Sequence, residues 1–214
     1  MEIAALVISA GFSRRMQSFK PLLTYEGVPF IISIILKLYS HLKKIFIVTG
    51  YRREDIEETL YQWFYRLPEP ALLQAHHLLE SEWNLLKDHV HCVYNADYDQ
   101  GMFSSLQKGL SHCQDNHWVL YHFIDQPHIP RSFYGLFLQQ ISPDYNWIQP
   151  CYQHKKAHPL LLHHSLFPLI LQERNTSSLQ AISQHPLVKK KLWECQYPQV
   201  LQDFDSPVDY QSGE

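Results

Sequence analysis

The chain has 214 residues, 45% hydrophobic and 18% charged, a soluble globular composition long enough to bury one sizeable core. A net charge of −3 excludes any global attraction to nucleic acid, so a phosphate site has to be assembled locally. The longest apolar segment, Val28 to Leu38, is broken by Pro29, Ser33 and Lys37 and is too short to span a bilayer, so no membrane partner is expected.

Residues 3–9 read as a buried strand that stops at Gly11. Pro29 stands where a helix starts, and the apolar run to Tyr39 suits a buried helix. A β-branched run over 45–49 predicts a second strand, ended by Gly50. Ile56, Leu60, Trp63 and Phe64 share one side of a predicted helix from Arg53 to Phe64. Pro68 and Pro70 then break the pattern, and 71–86 reads as another helix or a partly ordered excursion. Strands are expected at 90–94 and 118–124, and helices at 103–112 and 134–141. After residue 145 the spacing predicts strands at 146–151 and 158–162 around a polar turn, then helices at 166–172 and 178–184. The last residues, 211–214, are expected to fray.

Alternating strands and helices predict an α/β fold with a mostly parallel sheet covered on both faces, where ligands bind beyond the carboxyl ends of the strands. One domain, 1–214, is expected: a first part of about 1–145 and a cap of about 146–205. Four cysteines without a C-x-x-C pair, and no secretory signal at the start, predict free thiols and a cytoplasmic protein. Fourteen scattered histidines show no zinc-motif spacing.

Five segments carry chemistry. The first is the turn after the opening strand, with Ala10, Gly11, Ser13, Arg15, Met16 and Lys20 in a G-x-S-x-R-M pattern followed by lysine. It is neither a Walker loop nor a G-x-G-x-x-G fingerprint, yet backbone N–H groups and cations there suit a polyphosphate. Its bland reading is a solvated basic loop. The second is Asp125-Gln126-Pro127, where an apolar strand delivers a hard oxygen ligand to its carboxyl end. The third is Gly101-Met102-Phe103-Ser104-Ser105-Leu106, otherwise a plain helix start. The fourth is Asp203-Phe204-Asp205-Ser206-Pro207, whose two aspartates share a side if the segment is extended, and whose Asp205 or Ser206 is also a helix cap. The fifth is His158-Pro159, by itself an ordinary packed turn.

In this order and spacing, over residues 3 to 210, the chain resembles the molybdenum-cofactor nucleotidyltransferases. These are a branch of the magnesium-dependent nucleotidyltransferases with a glycosyltransferase-A-like, Rossmann-like three-layer α/β/α fold. The resemblance implies transfer of a nucleoside monophosphate from an NTP to a phosphorylated acceptor, with pyrophosphate released. It implies that the turn from Ala10 to Ser13 cradles the phosphates, Arg15 and Lys20 neutralise them, Ser105 lies along the base and ribose, and His158 touches the acceptor phosphate. Asp125 and, by preference, Asp203 would hold Mg2+; Asp205 is the other candidate. Ala10 favours CTP over GTP, which makes CMP transfer to molybdopterin the first expectation and a recipient molybdoenzyme a candidate partner. Sugar or alditol phosphates, the GTP-using branch, and a non-catalytic nucleotide-binding partner of a molybdoenzyme are the alternatives. The chain departs from the family at Gln17, where glycine is usual, at 175–182, where a G-D-x-G-A-R element is missing, and at 153–159, where glycines are lost but Lys155 and Lys156 keep positive charge.

Overall fold

The computed structural model describes residues 1–213. β1 (Ile3–Ile8) follows the first apolar run, and its period of two feeds two cores: Ala5 and Val7 on one face, Ala4, Leu6 and Ile8 on the other. Two short 3-10 turns, Arg14–Met16 and Lys20–Leu22, lead to a small hairpin of β2 (Thr24–Tyr25) and β3 (Val28–Pro29). Pro29 is the cap before α1 (Phe30–Tyr39), one position outside the place expected for it. Every residue of α1 is buried, including Lys37, whose ammonium donates to the Pro127 carbonyl.

β4 (Ile45–Thr49) and α2 (Arg53–Phe64) keep their expected bounds. The segment that had no settled pattern forms two short helices, α3 (Pro70–His76) and α4 (Glu80–His89). They are separated because His77 adopts a left-handed conformation (φ 49°) that ends α3. Then come β5 (Val90–Tyr94), α5 (Met102–Leu110), β6 (Trp118–Phe123) and α6 (Arg131–Leu138). The second part contributes β7 (Trp147–Tyr152), β8 (Lys155–Lys156), β9 (Leu160–His163), α7 (Phe167–Gln172) and α8 (Leu179–Ser183). The Ser178 side chain caps α8 by accepting from the Ala181 N–H at 3.2 Å.

β10 (Lys190–Glu194) has no counterpart among the strands expected from the sequence. Its Lys-Lys-Leu-Trp-Glu run is polar because it is an edge strand, half-buried and paired among the described residues only with β7. Trp193 holds it down by stacking on Phe137 at 5.6 Å. α9 (Pro207–Gly213) closes the described chain, so 211–213 are helical where fraying was expected; Glu214 lies outside the described residues.

The sheet order is β10-β7-β9-β6-β1-β4-β5, with β8 beside β7. β6, β1, β4 and β5 run parallel, and β9 is antiparallel to both its neighbours. Residues of α1, α2, α4 and α6 pack on one face; those of α5, α7 and α8 pack on the other. Among the described residues no helix is long and apolar enough to cross a membrane, and all four cysteines are free thiols.

The parallel stretch decides where a site can form, because the loops after β1, β4 and β6 all leave from one edge. α5 sits close against β1 at Gly109, where an added methyl would lie 2.3 Å from Leu6 Cδ1 in a fully buried layer. Gly109→Ala is therefore expected to lower unfolding free energy by about 1–3 kcal/mol in urea titrations, against the general preference of helices for alanine.

Candidate active site

The turn after β1 is held from three directions. The Ala10 carbonyl accepts from the Tyr51 N–H at 3.1 Å, which ties the turn to the end of β4. Ser13 Oγ accepts from the Lys20 N–H at 3.2 Å and closes the loop on itself. Met16 is buried with Phe30 and Phe204, joining the turn to α1 and to the C-terminal segment. Ser13 and Gln17 both have left-handed backbone, with φ of 53° and 57°. Glycine, without a Cβ, would adopt the Gln17 conformation with no strain.

Lys20 lies where this turn meets the end of β6 and the C-terminal segment. Its ammonium donates to Asp205 Oδ1 at 2.6 Å and to Asp125 Oδ2 at 3.2 Å, although the residue is only 7% exposed. Arg15 Nη1 reaches the other Asp205 oxygen at 2.8 Å. Asp125 Oδ1 is buried and has no hydrogen-bond partner among the described residues. Burial holds the Asp125 carboxyl above the usual carboxylate range, and the Lys20 charge pulls against it.

Asp203 and Asp205 do not share a side. The Asp205 N–H donates to the Asp203 carbonyl at 2.9 Å, a tight turn where an extended segment was expected, and the turn sends the two carboxylates apart. Asp205 borders a cavity at the strand ends, whereas Asp203 Oδ1 accepts from Gln126 Nε2 at 3.0 Å. Burial, then the charges of Asp125 and Asp205, push the Asp203 carboxyl up to about 6. Phe204, between them, is buried, and its N–H donates to the Asp125 carbonyl at 3.0 Å. Of the two candidate caps for α9 the structure uses Ser206, whose Oγ accepts from the Asp209 N–H at 3.4 Å while the Asp209 carboxylate accepts from the Ser206 N–H at 2.8 Å.

The cavity has a volume of about 430 Å³ and opens at the carboxyl edge of the parallel strands. Gly11, Ser13, Arg15, Lys20, Ser105 and Asp125 all line it, together with Ser9, Phe12, Tyr98, Met102 and Asp205. Its lining combines charged side chains with the rings of Phe12 and Tyr98, and Arg14 lies over the Phe12 ring at 4.6 Å. Ser105 Oγ accepts from Asn95 Nδ2 at 3.0 Å, which orients it at the start of α5. Three expected site residues lie outside the lining. Ala10 is buried beneath the turn and Asp203 is turned toward Gln126. His158 sits behind Phe123 with ring centroids 4.5 Å apart, and burial lowers its imidazole to about 4. Sequence reasoning missed Ser9, Phe12 and Tyr98. Phe12 and Tyr98 pack together at 5.3 Å across loops that are far apart in the chain, so no local pattern marks them.

Over residues 5–191 the chain matches the MobA-like NTP transferase domain. It belongs to that family. The chain is accordingly a nucleotidyltransferase with the nucleotide-diphospho-sugar transferase fold. It is 21% identical over 211 residues to the molybdenum cofactor cytidylyltransferase of Escherichia coli (strain K12), covering 97% of this chain and 93% of the relative. Among solved structures it is similar in fold to a nucleotidyl transferase from Methanothermobacter thermautotroptrophicus, with a TM-score of 0.74, 19% identity, and 99% and 95% of the two chains covered. It is likewise similar to Rv0371c in complex with manganese from Mycobacterium tuberculosis H37Rv, with a TM-score of 0.67, 13% identity, and 100% and 98% covered. Asp203 and Asp205 fall beyond the residues matched to the family, so their arrangement rests on the fold itself.

Lys20 is the cation nearest three acidic groups, so its removal leaves Asp125 and Asp205 facing each other. Lys20→Ala is expected to cost roughly 2–4 kcal/mol at pH 7.5, less than breaking a fully buried pair because Asp205 keeps solvent contact. Carboxyls whose native pKa is raised bind protons more tightly folded than unfolded, so the native state loses stability as pH rises through the raised value. The deficit should therefore shrink as pH falls through about 6, where Asp203 protonates, and melting curves at pH 7.5 and 5.0 check this.

Proposed function

We propose that the protein transfers CMP from CTP to the terminal phosphate of molybdopterin, releasing pyrophosphate, with Mg2+ as the metal. The observation that carries the reading is the Lys20 ammonium bound to Asp125 and Asp205 inside the cavity that the Gly11–Ser13 turn also lines. Ala10 in the turn and the activity named for the Escherichia coli relative support CTP and this acceptor.

The residues present suit a hard divalent cation. Asp125, whose Oδ1 has no partner among the described residues, and Asp205 are carboxylates that already gather round a positive charge, that of Lys20. Among the described residues no group of three or more His, Cys, Asp or Glu stands ready to hold a metal, as fits an ion that takes one or two carboxylates and completes its shell with phosphate and water. Asp125 with Asp205, in preference to Asp203, would hold Mg2+, which when bound offsets phosphate charge.

The chain's own groups supply the rest. Backbone N–H groups of the turn bind the phosphate tail, and Arg15 neutralises its β and γ groups. Lys20 exchanges its carboxylate partners for the α-phosphate, where charge gathers in the transition state. An acceptor phosphate oxygen forms the new bond to the α-phosphorus, and the bond to the bridging oxygen breaks, with its electron pair leaving on pyrophosphate. The attacking oxygen is already anionic, so no strong base is needed. Exposed Lys155 and Lys156 supply positive charge for the acceptor side, while His158, neutral at physiological pH, supports Phe123 instead of binding phosphate. The first part of the chain, about 1–145, would thus hold the nucleotide and the cap the acceptor. Four free thiols fit a reducing compartment such as the cytoplasm, where a molybdoenzyme would take up the product.

A thermal-shift panel of the four NTPs, with and without Mg2+, tests the nucleotide: the largest shift is expected with CTP, and only with metal. A largest shift with GTP moves the protein to guanylyl transfer, and no shift with any NTP contradicts the reading. With CTP and molybdopterin, Lys20→Ala should slow pyrophosphate release by about 10²–10³-fold, measured where the variant remains folded.

A further inference from the structure

α1 is apolar along nearly its whole length, yet its last turn carries Lys37, only 9% exposed. The Lys37 ammonium donates to the Pro127 carbonyl and lies 5.3 Å from the centre of the Tyr25 ring. Among the described residues it forms no ion pair with a carboxylate. Burial lowers the group to about 8, with the Glu26 charge pulling the other way, so at neutral pH it is still charged. The unfolded chain holds that proton more tightly than the folded one, so the penalty on folding is fully present below about pH 8. A methionine or leucine would fill similar space without it. Packing alone therefore gives no reason for a lysine.

Its partner suggests one. Pro127 stands two residues after Asp125, in the loop that follows β6. The C-terminal segment grips this loop at three points. The Phe204 N–H donates to the Asp125 carbonyl at 3.0 Å, Gln126 Nε2 to the Val200 carbonyl at 3.3 Å, and His128 Nε2 to the Gln199 carbonyl at 3.1 Å. From α1 the loop receives one hydrogen bond among the described residues, that of Lys37. Pro127 has no N–H, so its carbonyl is the backbone group that a support beneath it can hold. α1 is a firm support, since every residue in it is buried. We infer that Lys37 is a positioning residue: by tying Pro127 to α1 it fixes the loop so that the Asp125 carboxylate stands where Lys20, and in turn a metal ion, can meet it. This rests on the metal reading of Asp125 proposed above. Lys37 touches neither nucleotide nor metal and acts only through the loop. Without it the loop is held from the C-terminal segment alone, and a ligand group displaced by about 1 Å loses much of its effect. If Lys37 served only to satisfy the Pro127 carbonyl, its loss would weaken the fold and leave Asp125 in place.

Lys37→Met separates these roles, with Lys37→Leu as a second variant should methionine not be tolerated. The ligand-free variant is expected to melt at or above the wild-type temperature at pH 7, because the buried charge is gone. With CTP present, Mn2+ should bind it about tenfold more weakly, as read by electron paramagnetic resonance. Unchanged Mn2+ affinity, whatever the melting temperature, would overturn the inference. So would a weakening accompanied by a lower ligand-free melting temperature, the mark of a general loosening. A wild-type protein whose Mn2+ binding ignores CTP would instead overturn the metal reading of Asp125, and this one with it.

Discussion

One ammonium group, Lys20 Nζ, is shared between carboxylates that come from residues 125 and 205, and much of the fold serves to bring those three segments together. The sheet does the first half: β1 and β6 are parallel neighbours, so the turn that carries Lys20 and the loop that carries Asp125 leave from one edge. The C-terminal segment does the second half, anchored by the Phe204 N–H on the Asp125 carbonyl and by Phe204 packed among Met16, Phe30 and Tyr25. Three acidic groups, with Asp203 included, make a local negative field that, among the described residues, only Lys20 and Arg15 offset by direct ion pairing. That imbalance is unfavourable for the free chain and favourable for a site that must admit a further cation together with a polyanion.

The cavity lining is mixed. Ion pairs surround a short turn with left-handed backbone at Ser13 and Gln17. Phe12 and Tyr98 form a small aromatic wall, with Tyr51 on Phe12 at 5.2 Å and Arg14 over the Phe12 ring. Such a lining suits a ligand with an anionic tail and a flat, partly apolar head. Gly50 lies beneath the same wall, where an added Cβ would come within 2.5 Å of Tyr98 Cβ, so the wall also depends on a close backbone approach.

Contiguous patterns made a good part of this legible from the residues. β1, its glycine turn, β4 and β6 have uniform apolar runs, because parallel strands are buried on both faces. The Lys20 and Asp125 positions follow from those strands and their motifs. Other features depend on contacts that no local pattern records. β10 looks polar because it lies at an edge. The turn hydrogen bond between Asp205 and Asp203, and the different side-chain partners of the two aspartates, are not recorded by the alternation along the chain. The place of His158 behind Phe123 emerges only when distant strands are side by side.

We propose that Asp125 and Asp205, neutralised by Lys20 in the free protein, become metal donors when a nucleotide draws Lys20 away. Mn2+ titration followed by electron paramagnetic resonance, with and without CTP, in wild type and Asp125→Asn, tests it most directly. Weak Mn2+ binding alone, at least about tenfold tighter binding with CTP, and loss of that gain in Asp125→Asn are the expected results. Equally tight Mn2+ binding without nucleotide, or an Asp125→Asn protein that retains the gain, would contradict it.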